Sequence, residues 1–105
     1  MATTLTEKMR KAVRISNTSE AITDEINDTI EACKKDMESV GIINIDEKDA
    51  LIVRAIKLYC RAEFNYSGIG EKYRESYELQ KMSLCMDMDY ITKKQVDISS
   101  DESEV

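Results

Sequence analysis

Ala50–Gly68 reads ALIVRAIKLYCRAEFNYSG, and this stretch decides the fold. At about 100° per residue on a helical projection, Arg54, Lys57 and Arg61 share one narrow wedge. Leu51, Ile52, Val53, Ile56, Leu58, Tyr59 and Phe64 spread over the rest of the circle. A surface helix needs only one apolar stripe. A helix apolar on most sides must be covered by several neighbours, so this one is expected at the centre of a small bundle.

Three further helices can be placed around it. TLTE (Thr4–Glu7) matches a T-x-x-E capping box and opens a short helix to about Val13, with Leu5, Met9, Ala12 and Val13 inward and Lys8, Arg10, Lys11 and Arg14 elsewhere. SNTS (Ser16–Ser19) then supplies a turn and N-cap candidates for a second helix over about Ser19–Val40. There Ile22, Ile26, Ile30, Cys33, Met37 and Val40 step by three and four, and Gly41 follows the C-terminus. Asp46 is the expected cap of the central helix. Gly68 and Gly70 end that helix in a tight corner. A fourth helix, about Gly70–Met86, has one stripe of Ile69, Tyr73, Tyr77, Gln80 and Leu84 and a second of Leu79, Met82 and Met86. The alternation of Leu84, Met86, Met88 and Tyr90 admits a short extended piece.

The expected fold is therefore all-α: about four helices in residues 1–90, with an acidic tail over 91–105 expected to be disordered. The core should contain Ile22, Ile26, Ile30, Met37, Leu51, Ala55, Leu58, Tyr59, Ala62, Tyr73 and Tyr77. Composition agrees, with no proline, three glycines and no tryptophan in 105 residues. Net charge is −6, but Val96–Val105 carries Asp97, Asp101, Glu102 and Glu104 without Lys or Arg, which leaves Met1–Gln95 at −2. That distribution does not point to sequence-specific nucleic-acid binding. No segment reaches the length of a membrane span and the N-terminus has no apolar leader, so a chain made in the cytoplasm is expected.

The absence of histidine removes Ser-His-Asp and Cys-His catalysis, His-ligated metals and the commonest general base. Cys33, Cys60 and Cys85 have no paired spacing and sit in apolar helical contexts, so they read as reduced core thiols. Asp87 and Asp89 form a D-x-D pair, yet the glycine and closing glutamate of a calcium loop are missing. The glycines of SGIGEK lack a preceding strand and cannot form a phosphate cradle. Tyr59, Tyr66, Tyr73 and Tyr77 serve core packing better than base stacking. No catalytic, metal or cofactor site is expected. What remains is contact chemistry: Arg54, Lys57, Arg61, Glu63, Leu79, Met82 and Met86 are the candidate residues for a subunit or partner interface. Glu63, whose direction on the central helix lies between those of Ile52 and Ile56, is either solvated near the end of the helix or salt-bridged to an Arg or Lys of a neighbouring subunit. The basic first helix is expected to pair with the acidic second.

The order of these features resembles the phage head–tail connector (head-completion, adaptor) proteins. MRKAVRIS, a polar capped turn and the amphipathic DEINDTIEACKKDM look like the opening of that family. The long apolar helix, the F-x-Y corner at Phe64 and Tyr66, and an x-x-Y-x-x-L-type helix with Tyr77 and Leu84 resemble its second half. SNTSEA stands where the family carries acidic residues, and the acidic tail has no family counterpart. The resemblance spans about Met1–Tyr90. It implies a virion protein of the head–tail junction that forms a homo-oligomeric ring, expected to be a dodecamer, below the portal protein. It also implies a docking surface for a stopper or tail-completion protein. A small cytosolic adaptor or regulator that binds one partner protein is the alternative reading.

Overall fold

A computed structural model describes residues 4–92 and contains five helices: α1 (Leu5–Ala12), α2 (Glu20–Ser39), α3 (Ala50–Glu63), α4 (Gly70–Cys85) and the single turn α5 (Met88–Ile91). The central position read from Ala50–Gly68 is observed. α3 packs on α1, α2 and, most extensively, α4, while α5 packs on α4. Ile52, Ala55, Ile56 and Cys60 of α3 are fully buried, and they meet Met9, Ile26, Cys33, Met37 and Tyr77 in one continuous core. Burying each such large apolar side chain contributes about 1.5–3 kcal/mol, which offsets the chain entropy lost in ordering so short a bundle. The expected acidic tail lies outside the described residues, apart from Ile91, which closes α5, and Thr92.

The helix boundaries follow local chemistry. Thr4 Oγ1 accepts the Glu7 N–H at 3.2 Å and Ser19 Oγ accepts that of Ile22 at 3.4 Å, satisfying amides at the two N-termini. α3 is capped by Asp49, not Asp46: Asp49 Oδ1 accepts the N–H groups of Leu51 (2.8 Å) and Ile52 (3.3 Å). Asp46 is spent one step earlier, where its Oδ1 accepts the Lys48 N–H at 2.9 Å and turns the chain toward α3. The extended alternative for Leu84–Tyr90 is not observed. Asp87 caps the helical turn α5, Leu84 and Tyr90 go inward, and Met86 and Met88 stay outside.

α1 and α2 end in the same way. Beyond α2, Gly41 has φ +97°, its N–H reaches Glu38 O, and the N–H of buried Ile42 reaches Met37 O. Beyond α1, Arg14 has φ +56°, its N–H reaches Lys11 O, and that of Ile15 reaches Arg10 O. Both are left-handed C-terminal motifs, in which glycine carries no Cβ penalty and arginine does. Arg14→Gly should therefore raise stability by about 0.5–1 kcal/mol, because the side chain is exposed and only the backbone strain is relieved. Thermal melting of the two proteins checks this, and an unchanged or lower midpoint would contradict it.

Arg10 departs from the expectation that it points away from the core. It is only 6% exposed. Its Nη1 donates to Asn17 O at 2.7 Å and its Nη2 to Thr23 Oγ1 at 2.8 Å and Glu7 Oε2 at 3.3 Å. One guanidinium thus ties α1, the following turn and α2 together, a task that suits its planar fork of donors. Thr6 Oγ1 also donates to Asn27 Oδ1. These contacts, rather than the expected ion pairs, join α1 to α2 among the described residues.

Candidate functional site

The core residues read from the sequence fall into three groups. Ile26, Ile30, Met37, Ala55, Leu58 and Tyr77 are buried; Ile22, Tyr59, Ala62 and Tyr73 are half-buried at its edge. Leu51 is a correction: at 44% exposed it lies outside the core. It occupies the first turn of α3 on the side away from its buried neighbours Ile52 and Val53.

α4 carries two faces with different roles. Tyr77 and Leu84 enter the core, while Leu79, Met82 and Met86 are 68%, 55% and 73% exposed. Spaced by three and four, these three form an uncovered apolar strip, extended by exposed Met88 of α5. Single exposed apolar residues are ordinary on a protein surface; these three share one side of α4 and its C-cap.

The inner face of α4 is held by a polar cluster. Tyr77, fully buried, donates its hydroxyl to Asp36 Oδ2 at 2.6 Å, and Lys81 Nζ donates to the same oxygen at 2.8 Å. Cys33 Sγ lies 3.9 Å from the Tyr77 hydroxyl. The Tyr59 ring meets Tyr77 edge-on at 5.0 Å, and the Arg74 guanidinium stacks over Tyr59 at 4.8 Å. Burial opposes the charge on Asp36, yet the hydrogen bonds from Lys81 and Tyr77 win and hold its carboxyl below its usual range. The cluster latches α2 to α4 across the edge of α3.

The same burial removes nucleophilic character from the thiols. Cys33 and Cys60 are pushed up from 9.0 to about 12 by desolvation. Tyr90 rises from 10.0 to about 12 through burial and the Asp49 carboxylate, whose oxygens lie 3.0 and 3.1 Å from its hydroxyl. Groups with raised folded-state pKa values stabilise fully below their unfolded values, and that contribution is lost as pH climbs toward the folded ones. Stability should therefore decline from about pH 9 toward about pH 12. A thermal midpoint that stays flat across that window would contradict the assignment. On the acid side, the Asp36 contribution is present above the ordinary 3.8 and lost as pH falls below it.

The basic wedge becomes a groove in three dimensions. Arg54, Lys57 and Arg61 of α3 line it together with Lys8 of α1 and Lys48 before α3, and Tyr73 and Ser76 of α4 close its other side. Lys8 lies off the apolar side of α1, and Lys48 belongs to no helix, so neither joins a pattern along the chain. Only the crossing of α1 over α3 brings Lys8 to this face. Arg61 is partly committed, because its Nε donates to Ala12 O at 3.0 Å at the C-terminal end of α1 and its guanidinium lies 5.2 Å from the Tyr66 ring. A shallower groove shares Arg54, Leu58 and Ser76 and continues to Leu79. Arg54 and Leu79 thus lie on one surface, whereas Glu63 sits apart and is paired with Arg74 of its own chain.

Among the described residues no group of three or more His, Cys, Asp or Glu side chains could hold a metal ion. Nor is any helix among them long and apolar enough to cross a membrane. A family model described as phage connector protein matches residues 5–91. No curated protein and no solved structure matches the chain. The family match runs through all five helices, from the first residue of α1 to the last of α5; the chain belongs to the phage connector protein family.

Proposed function

We propose that this connector-family chain is a structural, non-catalytic subunit of the virion head–tail junction. It assembles as a ring, expected to be a dodecamer, below the portal protein, prolongs the DNA channel, and presents the surface to which a stopper or tail-completion protein docks. The observation that carries this reading is the family match over the whole helical body. Surface chemistry supports it. A ring closed by rotation needs two different patches on each subunit. The Leu79–Met82–Met86 strip, with Arg54 on the same surface, supplies one patch, and exposed Leu51 at the start of α3 belongs to a second.

Electron microscopy of particles from a phage or prophage lacking this gene tests the role. DNA-filled or leaking heads with separate, unjoined tails are expected. Complete, joined virions would overturn the proposal and turn attention to a soluble partner protein.

A further inference from the structure

The groove between α1, α3 and α4 is unusual in a chain of net charge −6. Lys8, Lys48, Arg54, Lys57 and Arg61 line it, no Asp or Glu does, and its volume is about 690 Å³. Every acid–base pair found among the described residues involves other cations: Arg10, Lys34, Arg74 or Lys81. Its floor is partly apolar, with Val53, Leu58 and Tyr73 between the charges. Such a groove fits an extended acidic segment that also carries aliphatic side chains.

The chain contains one such segment. VDISSDESEV (Val96–Val105) has Asp97, Asp101, Glu102 and Glu104 interleaved with Val96, Ile98 and Val105 and has no Lys or Arg. The described chain ends in a neighbouring hollow with Asn44 and Asp49, at the approach to α3. Asn44 Nδ2 donates to Thr92 O at 2.7 Å, and the Tyr90 hydroxyl bonds to Asp49, which lies between groove residues Lys48 and Ala50. From Ala50 to Arg61, α3 rises about 16 Å. The residues after Thr92 reach about 40 Å when extended, more than the groove requires. We propose that Val96–Val105 seats in the basic groove of its own chain, its carboxylates on Lys8, Lys48, Arg54, Lys57 and Arg61, and so covers this face of the free subunit. The inference does not depend on ring assembly, because it concerns one chain alone.

Zero-length carbodiimide cross-linking of the full chain, as a mixture of isotope-labelled and unlabelled protein at low salt, tests it. Cross-links from Asp97, Asp101, Glu102 or Glu104 to Lys8, Lys48 and Lys57, within chains of one isotope, are expected. They should fall several-fold in Arg54→Gln, which leaves every lysine in place at an exposed site, and vanish at high salt. Mixed-isotope cross-links would overturn the proposal in favour of a second copy's tail. Cross-links spread evenly over the lysines of the chain, Lys35 and Lys72 included, would overturn it as well. A short DNA duplex provides an independent probe. The D97N/D101N/E102Q/E104Q variant should bind it about tenfold more tightly than the native chain at low salt, because the groove is uncovered. Equal binding by both proteins would mean that the tail does not occupy the groove. A defect in head–tail joining on gene deletion bears on the connector role and leaves these outcomes untouched.

Discussion

Ile56→Asp is expected to leave the chain without a cooperative thermal transition, with circular dichroism showing reduced helix content at room temperature. Ile56 is fully buried near the middle of α3, on the helix that contacts α1, α2 and α4. A carboxylate there loses its hydration and meets only apolar neighbours. Even protonated, the acid has no partner and costs several kcal/mol, to which the lost isoleucine burial adds about 2 kcal/mol more. Domains of this size have only about 5–15 kcal/mol to lose. Leu58→Asp provides the contrast. Leu58 is also buried, but it lines both grooves, beside Arg54 and Arg61. A carboxylate at that edge can turn toward solvent and two cations, so this variant should melt cooperatively at a reduced temperature. If the two variants unfold alike, the placement of Leu58 at the groove edge is wrong. If Ile56→Asp melts like the native protein, α3 is not the central helix.

That pair of residues shows which part of the structure was legible in the sequence. Periodicity reports which way a side chain points on its own helix, so it identified α3 as central and placed Ile26, Ile30, Met37 and Tyr77 inside. It cannot report what another helix brings to the same place. Leu51 and Leu58 lie on the apolar arc of α3, yet the fold buries Leu58 and leaves Leu51 44% exposed. Arg10 is the opposite error. Its charge suggested solvent, but an arginine can be buried when its fork finds a backbone oxygen and a hydroxyl, here Asn17 O and Thr23 Oγ1. Nothing in the spacing of Asp36 and Lys81 connects them; the fold brings both to the buried Tyr77 hydroxyl.

The candidate contact surfaces were half legible for the same reason. The Leu79–Met82–Met86 strip belongs to one helix, and its spacing alone revealed it. The basic groove takes residues from α1, from the approach to α3, from α3 itself and from α4. Only the Arg54–Lys57–Arg61 edge shows as a pattern along the chain. A wedge of three cations on one helix is usually a solvated face. The addition of Lys8 and Lys48, with no acid among them, turns it into a surface with a preference for anions.

Gly70→Ala is the second substitution from which a large loss is expected, and Gly41→Ala separates its cause from ordinary glycine strain. At the α3–α4 corner, Asn65 and Ser67 adopt φ +49° and +57°, and the Asn65 side chain accepts the Gly70 N–H at 2.8 Å. A Cβ on Gly70 would stand 2.7 Å from Asn65 Oδ1, 2.8 Å from Ala62 O and 3.0 Å from Asn65 Cα. The side-chain oxygen could turn away only by giving up its hydrogen bond. The carbonyl and the Cα belong to the backbone that ends α3 and cannot move without shifting α4 against it. Overpacking of this kind costs about 1–3 kcal/mol, and loss of the Asn65 hydrogen bond adds about 1 kcal/mol. At roughly 4–8 °C per kcal/mol for a domain of this size, the melting midpoint should fall by more than about 10 °C. Gly41 has the opposite problem: its φ of +97° penalises any side chain, but a Cβ there meets nothing within 4 Å. Gly41→Ala should therefore cost about 1–2 kcal/mol, without displacing one helix against another. Differential scanning calorimetry of the three proteins decides. A Gly70→Ala midpoint equal to or above that of Gly41→Ala would show that α3 and α4 approach less closely at this corner. The contact between those two helices, the most extensive in the bundle, would then have to be drawn again.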